Sequence, residues 1–178
     1  IRLNRHQNKM EVLLANAKVG TIVPLYREEN KYYIDESNLD NLVFLDNGTQ
    51  FVITSEKSGY MHLYLYDLNG RERQAITKGN FDIIDFYGYD PVRKLFYYSS
   101  YEESPLEKYI YSINEKGLKK KLTPVKGWNE ASFSKNFNYY INVVSNTDTP
   151  PVTALYNAKG KQVRVLEDNK AVKEAVKA

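Results

Sequence analysis

Short runs of apolar and aromatic residues recur along the chain, each ending in a polar turn that finishes on glycine. They read Met10-Glu11-Val12-Leu13-Leu14 before Gly20, Leu63-Tyr64-Leu65-Tyr66 before Gly70, Tyr109-Ile110-Tyr111-Ser112-Ile113 before Gly117, and Val152-Thr153-Ala154-Leu155-Tyr156 before Gly160. A period of two sends successive side chains to opposite faces of a pleated strand. Each glycine stands where a tight hairpin calls for positive φ. The pattern predicts a second strand after each turn, over residues 21–26, 72–77, 118–123 and 162–166. Ahead of the last three hairpins it predicts strands over 51–55, 95–100 and 139–145, with shorter ones over 82–86 and 129–133. That makes about four strands per repeat.

The glycines are separated by 50, 47 and 43 residues, from Gly20 to Gly70 to Gly117 to Gly160. Four short strands in a period of roughly 40–50 residues fit a β-propeller blade, and the 3.6-residue period of a helical repeat is missing. A sandwich or a closed barrel tolerates this strand content but does not predict similar hairpins at even spacing. The expected fold is therefore all-β: a partial propeller of about three to four blades of four-stranded antiparallel sheet. Only the end reads as helix. Asp168 or Asn169 can cap Lys170 onward, with Val172 and Val176 on one face, so residues 1–167 are expected to form the blades and 168–178 a short helix or linker. The start at Ile1, with neither initiator Met nor signal peptide, and the exit helix lead to the expectation that the chain is one part of a longer protein.

Composition narrows the chemistry. The 25 basic and 22 acidic side chains leave a net charge of +3, and only Lys119-Lys120-Lys121 is clustered, which gives no support for a nucleic-acid partner. Cysteine is absent, so disulfides, thiolate nucleophiles and Cys-based metal sites are excluded. No apolar run reaches the roughly 18 residues of a membrane span. There is no Gly-x-Ser-x-Gly, no phosphate-cradling glycine motif and no oxygen-rich calcium loop, so neither a catalytic residue, a metal nor a cofactor is assigned. Of the two histidines, His62 precedes a strand and is expected to make a cross-strand hydrogen bond. The acidic pairs Glu28-Glu29, Asp35-Glu36 and Glu102-Glu103 are expected as solvated charges in loops. Asn47-Gly48 reads as a hairpin turn rather than a glycosylation site, and Trp128, the one tryptophan, as a core residue.

Several stretches resemble the propeller domain of the dipeptidyl peptidase IV-like serine peptidases, in the prolyl oligopeptidase superfamily, and most of all its bacterial branch. They are Asn4-Arg5 with Gln7-Asn8, Phe44-Leu45-Asp46-Asn47-Gly48, Thr54-Ser55-Glu56-Lys57-Ser58-Gly59-Tyr60-Met61-His62-Leu63-Tyr64, Ile76-Thr77-Lys78-Gly79, Phe133-Ser134 and Arg164-Val165-Leu166-Glu167-Asp168-Asn169. The resemblance implies a non-catalytic propeller segment that gates and shapes access to an α/β-hydrolase domain. There a Ser-Asp-His triad releases N-terminal dipeptides with proline or alanine second. The family's paired glutamates, which hold the substrate ammonium, would precede Ile1, and neither Glu28-Glu29 nor Glu102-Glu103 matches their context. The family also places an aromatic and an arginine near the position of residues 33–38. Here that segment has Tyr33-Ile34-Asp35-Glu36-Ser37 and no arginine, so Tyr33 alone is assigned to the substrate pocket.

The resemblance further implies a peptide substrate and the protein's own hydrolase domain as partners, with a periplasmic or cell-surface location. A stand-alone propeller-like module that binds protein or glycan is the alternative. A small glycosidase using a loop carboxylate pair ranks last, because no pair has a recognisable context. Uncovered blade faces lead to a further expectation that the segment alone self-associates.

Overall fold

The computed structural model describes residues 1–35, 41–46 and 48–176. Fifteen strands and one short helix make up the described elements. They fall into two compact units, residues 1–79 and 80–178, each built from two successive meanders. In the first unit, β1 (Arg2–Leu3), β2 (Lys9–Ala15) and β3 (Ile22–Glu29) form a three-stranded sheet, here blade I. Blade II is the four-stranded meander of β4 (Val43–Phe44), β5 (Gln50–Ser55), β6 (His62–Asp67) and β7 (Glu72–Ala75).

In the second unit, blade III is β8 (Ile83–Asp90), β9 (Leu95–Ser104), β10 (Glu107–Ile113) and β11 (Lys119–Lys121). Blade IV is β12 (Trp128–Phe133), β13 (Tyr139–Asn146), β14 (Thr149–Asn157) and β15 (Gln162–Glu167). One parallel bridge, Lys108 to Trp128, joins them. The architecture is the all-β partial propeller the repeat predicts, and every strand read from the pattern is present. The exit helix α1 covers Lys170–Val176, and the Asp168 carboxylate accepts from the Lys170 N–H. The side chain of Val176 and residue Asn47 lie outside the described residues. No described helix is long and apolar enough to cross a membrane.

One local device closes three of the hairpins. Asp67, Asn114 and Asn157 accept the N–H of the glycine three residues on through their carbonyls, and backbone N–H groups inside each turn through their side chains. The glycines Gly70, Gly117 and Gly160 then turn the chain at φ of 76°, 79° and 79°. This three-residue loop with a left-handed glycine sets the strand register.

The cores lie between neighbouring blades. Met10, Val12, Leu25 and Tyr26 of blade I bury against Phe51, Ile53, Tyr64 and Tyr66 of blade II. Tyr97, Ile110 and Leu122 of blade III bury against Tyr140, Ala154 and Tyr156 of blade IV. The incoming blade brings the same aromatic pair each time: Phe51 stacks on Tyr66 at 5.5 Å, and Tyr140 on Tyr156 at 5.2 Å. Such stacks add about 0.5–1.5 kcal/mol beyond area burial. It also brings the hairpin glycine against the last strand of blade I and, at blade III, against the residue that follows the last strand. A Cβ on Gly70 would stand 2.9 Å from the Leu25 carbonyl oxygen, and one on Gly160 2.9 Å from that of Leu122. Glycine is thus selected twice over at these turns, by φ and by contact.

Gly117 shares the φ of Gly160 but has nothing within 4 Å of its virtual Cβ, so the two positions separate these causes. Gly160→Ala is expected to destabilise more than Gly117→Ala by about 1–3 kcal/mol, the usual overpacking cost. Denaturant midpoints at unchanged m-value measure it, and equal losses would remove the interblade contact from this account.

Candidate functional site

Tyr33 belongs to a segment held at both ends. The Asn30 N–H donates to the Asn8 carbonyl at 2.9 Å and the Ile34 N–H to the Gln7 carbonyl at 2.7 Å, tying the segment to the turn between β1 and β2. Ile34 is buried in the core between blades I and II, whereas Tyr32 and Tyr33 are 71% and 53% exposed. The Asn30 side chain accepts the Tyr32 N–H, and Lys31 Nζ lies 5.3 Å from the Tyr32 ring centre. The result is a tethered ledge of two aromatic rings. Tyr32, the more exposed, was not singled out by the sequence, although the adjacent tyrosines ahead of an apolar anchor were the signal. Residues 36–38, including Glu36 and Ser37, lie outside the described residues.

On blade I, a cavity of about 570 Å³ is lined by residues of β1, β2 and β3 together with Asn4. Arg2 and Arg27 flank Glu11 across the three strands, and Lys9 pairs with Glu29 at 2.7 Å. Glu28 and Glu29 are therefore strand residues, contrary to the expected loop. Glu28 is buried, with the Tyr26 hydroxyl donating to it at 2.5 Å. Burial, then the Glu28 charge, pushes the Tyr26 phenol far above its ordinary value.

Glu102 and Glu103 are also on a strand, because β9 continues past residue 100 through a bulge opposite β10. There they meet the lysines of β11: Lys119 pairs with Glu102, and Lys121 with Glu103 at 2.8 Å. Lys121 and Tyr111 together hold the Glu103 carboxyl below its usual range. Two of the three clustered lysines noted in the sequence are thus partners of the acidic pair, while Lys120 donates to the Lys159 carbonyl at 2.7 Å.

His62 is a cross-strand hydrogen-bonding residue, as read. It is 3% exposed at the head of β6, with Nε2 3.0 Å from the Gly79 carbonyl and Nδ1 3.0 Å from the Thr77 hydroxyl. Since a carbonyl only accepts, the ring proton sits on Nε2 and Nδ1 accepts from Thr77, which in turn accepts the Leu63 N–H. This imidazole joins β6 to the end of blade II.

Trp128 departs from the core role expected of it. It is 41% exposed, and its ring faces the ammonium of Lys108 at 4.9 Å. The Lys108 side chain is 5% exposed and lies 3.1 Å from Asp85 and 3.7 Å from Glu130. Lys108 sits two positions before Ile110 on β10, where the alternation points the side chain at blade IV; the ammonium is retained because carboxylates from both blades meet it. Behind it, fully buried Asn129 donates to the Lys108 carbonyl at 2.9 Å and accepts from Asn142 at 2.9 Å. The cluster pins the blade III–IV bridge.

Burial works against the Asp85 carboxylate, but hydrogen bonds from Ser99 and Lys108 and the Lys108 charge outweigh it and hold the group below its ordinary value. A depressed carboxylate stabilises above the unfolded-state value, near pH 4, and that contribution disappears as pH falls through the folded value. Asp85→Asn is thus expected to lower the denaturant midpoint at about pH 6, with the gap to the unaltered protein closing toward about pH 3. A gap independent of pH would show that the charge is not what holds the site.

Comparison with known proteins places these features. The model of the dipeptidyl peptidase IV N-terminal region matches residues 1–151. The chain is 30% identical over 153 residues to a probable dipeptidyl peptidase 4 of Aspergillus flavus, covering 78% of this chain and 20% of that protein. It is 28% identical over 191 residues to dipeptidyl peptidase 4 of Arthroderma otae, covering 98% and 23%. The crystal structure of Porphyromonas gingivalis dipeptidyl peptidase 4 superposes with a TM-score of 0.93 at 40% identity, over 99% of this chain and 25% of that one. A putative dipeptidyl aminopeptidase IV from Bacteroides ovatus gives 0.77 at 26% identity, over 93% and 26%. The chain spans about a fifth to a quarter of these relatives' length. With most of its residues matched by the family model and its blades superposing on a bacterial relative, the chain belongs to the dipeptidyl peptidase IV N-terminal region family.

Proposed function

We propose that this chain is a non-catalytic propeller segment of a dipeptidyl peptidase that releases N-terminal X-Pro or X-Ala dipeptides, and that it shapes the route by which peptides reach the catalytic domain. The observation that carries the reading is the 40% identity with the Porphyromonas gingivalis enzyme over 99% of the chain. The nucleophile, its base and the orienting carboxylate would come from the rest of the longer protein, here a serine peptidase with its own hydrolase domain. Of the chain's two imidazoles, His62 is fixed by Thr77 and Gly79 and has no free nitrogen to act as a base.

The physical contribution of the blades is rigidity. A wall whose cores are packed aromatic rings does not deform to admit a folded protein, so only slender chains pass. The Tyr32–Tyr33 ledge suits one face of such a route: ring faces bind peptide side chains, and the tether through Asn30 and Ile34 keeps the ordering cost low. A periplasmic or cell-surface location goes with this reading, supported by the bacterial origin of the solved relatives.

The full-length protein is expected to hydrolyse a Gly-Pro chromogenic amide, and residues 1–178 alone to leave it intact. Inactivity of the full-length protein would instead favour a binding module. In the active protein, Tyr33→Ala should raise KM by roughly three- to tenfold, worth about 1 kcal/mol of binding, with kcat little changed. Unaltered kinetics would take Tyr33 out of the substrate pocket.

A further inference from the structure

Strand β12 keeps one face in water. Asn129 is buried and Ala131 and Phe133 pack on the core between blades III and IV, whereas Trp128, Glu130 and Ser132 are exposed. A period of two makes the Trp128 indole and the Glu130 carboxylate neighbours on that outer face. The indole is fixed there. Trp128 forms the backbone bridge to Lys108, the Lys108 N–H donates to the Gly127 carbonyl at 3.1 Å, and the Lys108 ammonium lies against the ring. Gly127, at φ of 136°, lets the chain come so close to β13 that a Cβ would stand 2.4 Å from the Ser145 carbonyl oxygen. An aromatic ring that is held in place yet open to solvent loses little freedom when something binds to it.

The charges beside the ring do not cancel. One ammonium, that of Lys108, faces two carboxylates, Asp85 and Glu130, whose side chains are 44% and 65% exposed. One negative charge is left over next to an exposed indole, and that pairing is complementary to a cation. The location is equally defined. Trp128 pairs with Ser145 beside the β13–β14 hairpin, and at this same end of blade IV Glu167 of β15 pairs with Thr153 and Asn169 donates to the Pro151 carbonyl. The indole and the start of α1 thus share one end of the blade.

We propose that Trp128 and Glu130 form a subsite for a basic side chain, above all arginine, in the part of a peptide substrate that follows the released dipeptide. The subsite presupposes the reading of this chain as a propeller segment whose residues 168–178 lead toward the catalytic domain. When the first two residues of a peptide are at the nucleophile, the portion still in the route is the one that follows them, and that portion is what a blade can touch. Arginine suits the pair better than lysine, because its planar guanidinium stacks on the exposed indole while donating to the Glu130 carboxylate. Citrulline, neutral and of the same shape, gains the stacking alone.

The test offers the full-length protein Gly-Pro-led hexapeptides with one arginine at the third, fourth, fifth or sixth position, each beside its citrulline counterpart. At one of these positions arginine is expected to raise kcat/KM over citrulline by roughly three- to tenfold. Added salt should shrink the difference, since the charges are exposed. Glu130→Gln should bring the ratio below about twofold. Trp128→Ala should lower kcat/KM for both peptides, and Trp128→Phe should restore part of it. Every rate is divided by that of the same variant on the Gly-Pro chromogenic amide, which has no residue beyond the dipeptide, so a folding defect cancels. Equal kcat/KM for arginine and citrulline at all positions, or a preference that survives Glu130→Gln, would overturn the subsite. A Trp128→Ala loss just as large on the amide would overturn it too, by making the indole a contact to the catalytic domain. Cleavage of the amide without an arginine preference removes the subsite alone, whereas an intact amide removes the peptidase reading and the subsite with it.

Discussion

The structure depends on the seam between consecutive blades. A single meander of short strands has one face it cannot bury by itself, and here that face is buried by its neighbour, ring on ring, at both seams within the two units. Everything else follows from keeping the seam close. Gly70 and Gly160 let one backbone approach another where a Cβ would collide, and Tyr140 supplies large flat area with a hydroxyl that donates to the Leu122 carbonyl at 3.1 Å. At the edge of the blade III–IV seam, where water reaches, the packing gives way to charge: Lys108 answers Asp85 and Glu130, one from each blade.

The same constraint explains what was legible beforehand. Strands and hairpins were readable because a period of two and the Asx-x-x-Gly turns are local, and local chemistry decides both. The extents were less readable. β9 runs on to Ser104 because it has a partner in β10, and β1 and β4, two residues each, exist only through pairing with longer neighbours. Acidic pairs looked like loop charges because sequence shows adjacency and not the strand opposite; the lysines that neutralise Glu102 and Glu103 arrive 17 and 18 residues later on β11. Trp128 was misjudged for a related reason. An indole fills a core when nothing polar competes for its face, and here the ammonium of Lys108 does.

The candidate site was legible only in part. Tyr33 could be named from resemblance, and the structure adds the reason the position is suited to contact: a buried Ile34 and two backbone hydrogen bonds hold the exposed rings in place. The absence of a nucleophile motif was plain in the sequence, whereas the locked state of His62 needed coordinates, since Thr77 and Gly79 lie beyond the strand that follows it.

Native-state hydrogen exchange across residues 80–178 tests the central claim most directly. If the seam is what stabilises the blades, the amides of β9 and β10 and those of β13 and β14 will open together with one shared free energy, while β15, exposed along its whole length, exchanges faster. Blades III and IV opening with separate, unrelated free energies would mean that each meander is stable by itself, and the account built on their contact would be wrong.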